Sequence, residues 1–252
     1  MITIKAHSLS DFVARYLPAQ RPRHGIEATV LHHTYRPTAS DYQGLTTIKQ
    51  IQAYHRHNRG WRDIGANAYA APDGRIFNAR PLSYSNYAHA YISKDWDDVP
   101  EDLRRLAHPD RNFLNHCGFG IETIGDFDAR GIDPVPPALA AALDLAAAVH
   151  RQYELPPERL FFHRDAAYKT CPGRNIDRDW ARRQIAQRLQ ADGTELEIRL
   201  LPDGVPVDCR PALSDGVTRC DLRPLAETLG YTVIADTMAD DGVIYLRRSG
   251  RP

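Results

Sequence analysis

The sequence predicts an α/β fold: a mixed central sheet flanked by helices, followed by a small α+β module at the C-terminus. Three observations carry this. Short apolar runs alternate with helical segments, as in layered α/β domains; one pair of runs is joined by a Pro-Asp-Gly turn, which introduces an antiparallel hairpin; and composition shifts after Ala191-Asp192-Gly193. The 252 residues suffice for one well-buried domain plus a small module.

In chain order, an irregular start with Pro18 and Pro22 leads to the run Ala28-Thr29-Val30-Leu31-His32-His33-Thr34, a strand that ends on a histidine pair. Ile48, Ile51, Tyr54 and His55 recur at helical spacing, predicting a helix over 46–57 that Gly60-Trp61 stops. Ile64 to Ala71, the turn Pro72-Asp73-Gly74, and Arg75 to Ala79 form the hairpin. A stretch over 81–115 reads as loop, and loops that long are functional or mobile. Gly118 to Ile124 is a buried strand, and the Ala/Leu-rich segment 136–153 is a helix with proline in its first turn. Leu160-Phe161-Phe162 is a strand delivering His163, and 179–190 forms the last helix of a domain spanning 1–193. The module 194–252 reads as strands around the turns Pro202-Asp203-Gly204 and Ser214-Asp215-Gly216, a helix Leu222 to Leu229 capped by Gly230, and one or two strands over 232–246.

Bulk properties exclude several roles. Acidic and basic residues balance at 32 each, so no net field favours nucleic acid or an anionic membrane. No apolar run is long enough for membrane insertion, and the start Met-Ile-Thr-Ile-Lys-Ala-His lacks the regions of a secretory signal. The chain therefore reads as cytoplasmic when made, unless an export segment was trimmed. Four scattered cysteines are too few for a disulfide-built fold. Cys117, Cys209 and Cys220 read as reduced packing residues, although the last two flank a turn and a cross-strand disulfide is the alternative.

The densest chemistry lies in His163-Arg-Asp-Ala-Ala-Tyr-Lys169-Thr-Cys171-Pro-Gly173. An imidazole, an ammonium and a thiol fall within nine residues. His163 and Cys171, with one histidine of the earlier pair, give Zn2+ three protein ligands and leave the fourth position to water, the pattern of catalytic rather than structural zinc. Adjacent strand residues point to opposite faces, so only one of His32 and His33 joins the set, and spacing alone does not choose. Glu122 stands inside an apolar strand, where a carboxylate must pair with a cation, meet a metal-bound water or take a raised pKa.

His-His-Thr after a strand, Gly60-Trp61-Arg-Asp-Ile64-Gly65 before a hairpin, Pro72-Asp73-Gly74, and the motif from His163 to Gly173 occur in one order over residues 26–190. In this the chain resembles the zinc-dependent N-acetylmuramoyl-L-alanine amidases, the type shared by phage lysozyme-like amidases, bacterial recycling amidases and animal peptidoglycan recognition proteins. The resemblance implies that His32 is the ligand beside His163 and Cys171, and that Lys169 is the catalytic cation. It also implies that the bond cut joins the lactyl group of N-acetylmuramic acid to L-alanine. Many members carry tyrosine after the Ile-Gly pair, where this chain has Ala66; the recycling branch uses a glutamate in an Ile-Glu strand, which makes Glu122 the general base. Tyr69, three residues beyond Ala66, is expected on the opposite side of the sheet. His89 falls near the substrate, and Asn67 is expected beside it in the cleft.

The expected partner is peptidoglycan or a muropeptide. The alternatives are a noncatalytic peptidoglycan-binding receptor and a zinc peptidase cutting the stem peptide. The segment 205–246, through Leu222 to Gly230, resembles the small stalk-like domain of copper amine oxidases, with wall attachment, self-association or simple packing as its readings. The setting stays open between a phage lysin acting after release and a bacterial enzyme acting on recycled fragments.

Overall fold

The computed structural model describes residues 1–86, 91–129 and 131–190 with their side chains, and beyond these the backbone of Ala191 and of five strands. Two compact units divide the chain, Met1–Gln187 and Arg188–Pro252. Among the described residues no helix is long and apolar enough to cross a membrane.

The first unit is a six-stranded mixed sheet. Its strands are β1 (Ala6–His7), β2 (Ala28–His33), β3 (Ala68–Ala70), β4 (Ile76–Asn78), β5 (Gly118–Thr123) and β6 (Leu160–Phe162), in the order β1-β4-β3-β5-β2-β6. Strands β3, β5, β2 and β6 run parallel, and the β3–β4 hairpin and β1 add the antiparallel edge. All six residues of β2 are buried. This follows from its place between two parallel neighbours with both faces covered, which calls for a continuous apolar run rather than alternation.

Helix α5 (Pro137–Gln152) packs on one face, against β5, β2 and β3. Its alanines allow close approach, and its first residue is a proline, whose missing amide costs nothing at that position. The other face is covered in two patches. Helix α2 (Leu45–His57) sets Ile48 against Tyr69, Phe77 and Ile124. Helices α3 (Glu101–Ala107) and α4 (Phe113–Cys117) set Leu103, Ala107, Phe113 and Leu114 against Ala28, Val30 and Phe161, with Cys117 half-buried at the margin as a free thiol.

Two differences from the sequence expectation stand out. The stretch over 81–115 is not all loop: it contains α3 and α4, whose short lengths of seven and five residues give no sustained helical period. The irregular start contains β1 and a helical turn, α1 (Leu9–Asp11), continued by Phe12–Tyr16. One-turn α6 (His163–Ala166) and α7 (Arg178–Ala191) complete the unit.

In the second unit β7 (Ile198–Leu201), β11 (Ile244–Arg248) and β10 (Tyr231–Val233) form one sheet, and β8 (Ala212–Ser214) pairs with β9 (Val217–Arg219) in another. The expected helix at 222–229 and both Cys209 and Cys220 lie outside the described residues.

Beneath α5, the fully buried His150 meets Thr29 through a 2.7 Å bond between Nε2 and Oγ1. Burial pulls its imidazole down to about 4 from the usual 6.5. The unfolded chain takes up a proton near pH 6.5 that the folded chain refuses until about pH 4, so stability present above this window is lost as pH falls through it. The contribution is on the order of 3 kcal/mol. Urea melts between pH 7 and 4 are expected to show a slope smaller by one proton in His150→Gln; an unchanged slope would mean that burial does not hold this ring neutral.

Candidate metal centre and active site

The carboxyl ends of β2, β5 and β6 converge, the place where open α/β sheets bind ligands. Parallel pairing puts His32 opposite Glu122, and Glu122 opposite Tyr69, so one row of side chains crosses β2, β5 and β3 on a single face. His33, one residue on, turns to the other side. Its Nδ1 accepts from the Phe127 amide at 3.2 Å, and burial lowers its pKa. The pleat thus separates the two histidines, and His32 is the one that shares a face with Glu122.

His163 opens α6 directly after β6, and a loop returns Cys171 to the same point. His32, His163 and Cys171 each offer a ligand atom, all within 4.8 Å of one another. The rings of His32 and His163 are 4.7 Å apart, and His32 Nδ1 stands 3.6 Å from Cys171 Sγ. A tetrahedral ion with ordinary Zn–N and Zn–S bonds would separate such a nitrogen and sulfur by about 3.5 Å. The three residues therefore fit a metal by geometry and by donor type. Burial holds the His163 imidazole neutral, down to about 3, with Lys169 and His33 adding to the effect, and a neutral ring is what a metal requires. Burial, with Glu122 next in weight, pushes the Cys171 thiol strongly upward, so a thiolate there calls for a cation beside it.

The ligand loop is held by polar clamps. Asp165 accepts the Phe162 amide at 2.8 Å and pairs with Arg178 at 3.2 Å. Arg164 lies over the Phe162 ring and donates to the carbonyls of Gly173 at 2.7 Å, Thr170 at 3.3 Å and Ile176, while its own amide donates to Cys171. From the other side, Asp128 accepts from Thr170 Oγ1 at 2.5 Å and from the Arg174 amide at 2.7 Å. Gly173 has φ +125, and a Cβ there would lie 2.5 Å from Phe127 Cβ, so the turn after Cys171 requires glycine.

Glu122 leaves only 13% of its side chain exposed, with Oε1 3.9 Å from His32 Nδ1. Burial pushes its carboxyl up to about 8, and Lys169 draws it back. Lys169 itself is exposed and lines a cleft of about 520 Å³ that opens over the centre.

Asn67 is elsewhere. Only 2% exposed, it donates to the Arg80 carbonyl and accepts from Asn86 and the Gly120 amide, so it braces β5 instead of lining the cleft. A buried amide in an irregular strand entry binds backbone that the sheet leaves unpaired. His89 lies outside the described residues. Tyr69 also departs from expectation. Ala66 and Tyr69 pack in the same cluster, because the consecutive amides of Ala79 and Arg80 donate to Asn67 and Ala66, an irregularity that resets the two-residue alternation before β3 begins.

Sequence reading missed one wall of the cleft. His55 and Trp61, with ring centroids 4.5 Å apart, line it together with Tyr35, Tyr54 and Arg59. His55 Nδ1 accepts from the Gly65 amide at 3.3 Å, and burial, then Arg59 and Arg80, pull its pKa to about 4. Tyr35 sits at φ 57, a backbone state no local sequence signal announces.

The chain is similar to several known proteins. Peptidoglycan-recognition protein SC2 of Drosophila simulans is 29% identical over 148 residues, 58% of this chain and 68% of its own length. The N-acetylmuramoyl-L-alanine amidase of Homo sapiens is 27% identical over 148 residues, 57% of this chain but 22% of that longer protein. Among solved structures, the endolysin N-acetylmuramoyl-L-alanine amidase LysCS from Clostridium intestinale superposes with a TM-score of 0.46 at 23% identity, covering 65% of this chain and 86% of its own. The family model described as N-acetylmuramoyl-L-alanine amidase matches residues 21–174, which include the β2 histidines, Glu122 and the whole ligand loop through Gly173. The chain belongs to the N-acetylmuramoyl-L-alanine amidase family.

Proposed function

We propose that this protein is a zinc-dependent N-acetylmuramoyl-L-alanine amidase that cleaves the amide between the lactyl group of N-acetylmuramic acid and L-alanine. The observation that carries the reading is the convergence of His32, His163 and Cys171, with ligand atoms within 4.8 Å, beside a buried carboxylate at the floor of a cleft. A receptor that only binds peptidoglycan has no need of three mutually facing donors and an adjacent base. Catalysis is assigned to residues 1–193, and an accessory role in wall attachment or self-association to 194–252, which favours intact peptidoglycan as the material attacked.

His32, His163 and Cys171 would hold the ion, and Arg164, Asp128 and Asp165 fix the loop from which two of them come. When bound, zinc supplies Lewis acidity and lowers the pKa of a coordinated water. Glu122 then accepts the proton of the attacking water and returns it to the leaving amine of L-alanine. Burial raises its carboxyl, the direction that makes it a better proton acceptor near neutral pH, and a bound cation would draw it back toward the usual range. Lys169, exposed at the cleft, faces the negative charge that develops on the carbonyl oxygen. The wall of Tyr54, His55 and Trp61 offers apolar ring surface to the muramyl peptide, and Arg59 offers a cation to its carboxylates.

Mass spectrometry of digested peptidoglycan is expected to find free peptides beginning at L-alanine and intact glycan. Peptides cut within the stem would mean a peptidase, and binding without cleavage a receptor. In Glu122→Gln, kcat should fall by about 10²- to 10⁴-fold with metal content unchanged. Lys169→Met should lower kcat by about 10²- to 10³-fold with little change in KM. Arg164→Met leaves all three residues in place but frees the loop that carries two of them, so zinc affinity measured by competition with a chelator is expected to drop by about 10- to 100-fold. An unaltered affinity would show that the loop holds its shape without this clamp.

A further inference from the structure

Tyr69 is one of the largest fully buried side chains, yet among the described residues its hydroxyl has no hydrogen-bond partner. A buried phenol normally finds one, because leaving a donor unsatisfied costs more than a made hydrogen bond returns. Its place in the sheet indicates what the hydroxyl is for. In the β3·β5 register Tyr69 is the direct partner of Glu122, and in the β5·β2 register Glu122 is the direct partner of His32. Parallel neighbours in register project to the same face, so the phenol and the carboxylate rise side by side from the floor of the sheet. The carboxylate, for its part, is 3.9 Å from His32 Nδ1, beyond hydrogen-bond length. The ring is fixed from the other side by Ile48, Ile64, Ala66 and Phe77, which leaves the Tyr69 hydroxyl with little choice of direction. The two groups also feel each other's charge, Glu122 raising the already elevated pKa of the phenol.

We propose that Tyr69 is the positioning residue of Glu122: its hydroxyl donates to the carboxylate across one buried water and holds it aimed at the point where His32, His163 and Cys171 meet. The bridge satisfies the buried phenol and fixes the rotamer of a flexible side chain that would otherwise sample the cleft. The proposal rests on the assignment of Glu122 as proton acceptor only for its effect on turnover; the water-bridged contact itself does not depend on that assignment.

A double-mutant cycle separates the two. The melting temperature of the metal-free protein, prepared by chelation, is measured for wild type, Tyr69→Phe, Glu122→Leu and the double variant. Steady-state kinetics on muropeptides are measured for the zinc-loaded wild type and Tyr69→Phe. If the hydroxyl serves Glu122, Tyr69→Phe lowers the melting temperature by about 2–4 °C in the wild-type background. In the Glu122→Leu background, where it removes an orphaned donor, the same change raises it. Turnover then falls about tenfold in kcat while KM stays constant. A rise of equal size in both backgrounds shows an inert hydroxyl and overturns the proposal. Thermal coupling with kcat unchanged on an enzyme that hydrolyses muropeptides overturns the positioning role. Should the wild type hydrolyse nothing, the amidase reading fails, while the thermal cycle still decides whether the bond exists.

Discussion

The in-register parallel pairing of β2 with β5 is the constraint from which the site follows. It places an imidazole and a carboxylate on adjacent strands, on one face, at the point where the sheet meets solvent. A slip of one residue would put His33 where His32 stands and turn both polar groups to the other face, toward the helix α5 side. The register is protected by what lies further down the strands: Val30 and Phe161 are completely buried under α3 and α4, and Leu31 and Phe162 are completely buried in the partner row, so a slip would force side chains of different size into two close-packed layers. The apolar body of the sheet thus fixes the position of its polar end.

That polar end is costly in isolation. A carboxylate with little exposed surface, the His163 imidazole and a thiol in one pocket are each held away from their usual ionisation by burial. Lys169 moderates the cost for Glu122 and aggravates it for His163, because a cation favours the charged form of one and disfavours that of the other. The two shifts leave a carboxyl that titrates near neutrality and a His163 ring free of its proton. A divalent ion would supply the positive charge that the thiol lacks, so the protonation states within the pocket depend on one another and not on any residue alone.

Much of this was legible in the sequence because it is local. Ala28–His33, Gly118–Thr123 and Pro137–Gln152 announce themselves by apolar continuity or helical composition, and the nine residues from His163 to Cys171 carry their chemistry in their spacing. What was not legible is non-local or irregular. Helices α3 and α4 are too short to show a period. The side of the sheet that Tyr69 takes depends on an irregularity set by where Ala79 and Arg80 donate, and nothing in the run from Ile64 to Ala71 marks it. Asn67 reads as a cleft residue by its position in the motif, yet three tertiary partners capture its amide. His55 looks like any helix histidine until Trp61 stacks beside it and the Gly65 amide points at its ring.

The distribution of exposure across the site completes the physical picture. His32 is 1% exposed, Glu122 keeps 13% of its side chain open, and Lys169 stands in solvent. In the proposed reaction, water and substrate approach from the lysine side and meet progressively less polarisable surroundings as they descend. Electrostatic interactions strengthen in the same direction, since the effective dielectric falls with depth. A cation at the rim attracts and orients without being trapped by desolvation, whereas a carboxylate at the floor is destabilised as an anion and so becomes a stronger proton acceptor. Exchanging the two would fail on both counts: a buried lysine would lose its proton, and an exposed glutamate would hold too little basicity to take one from water. The depth of each group in the cleft, fixed by which strand or loop carries it, accounts for its role as fully as its chemical type does.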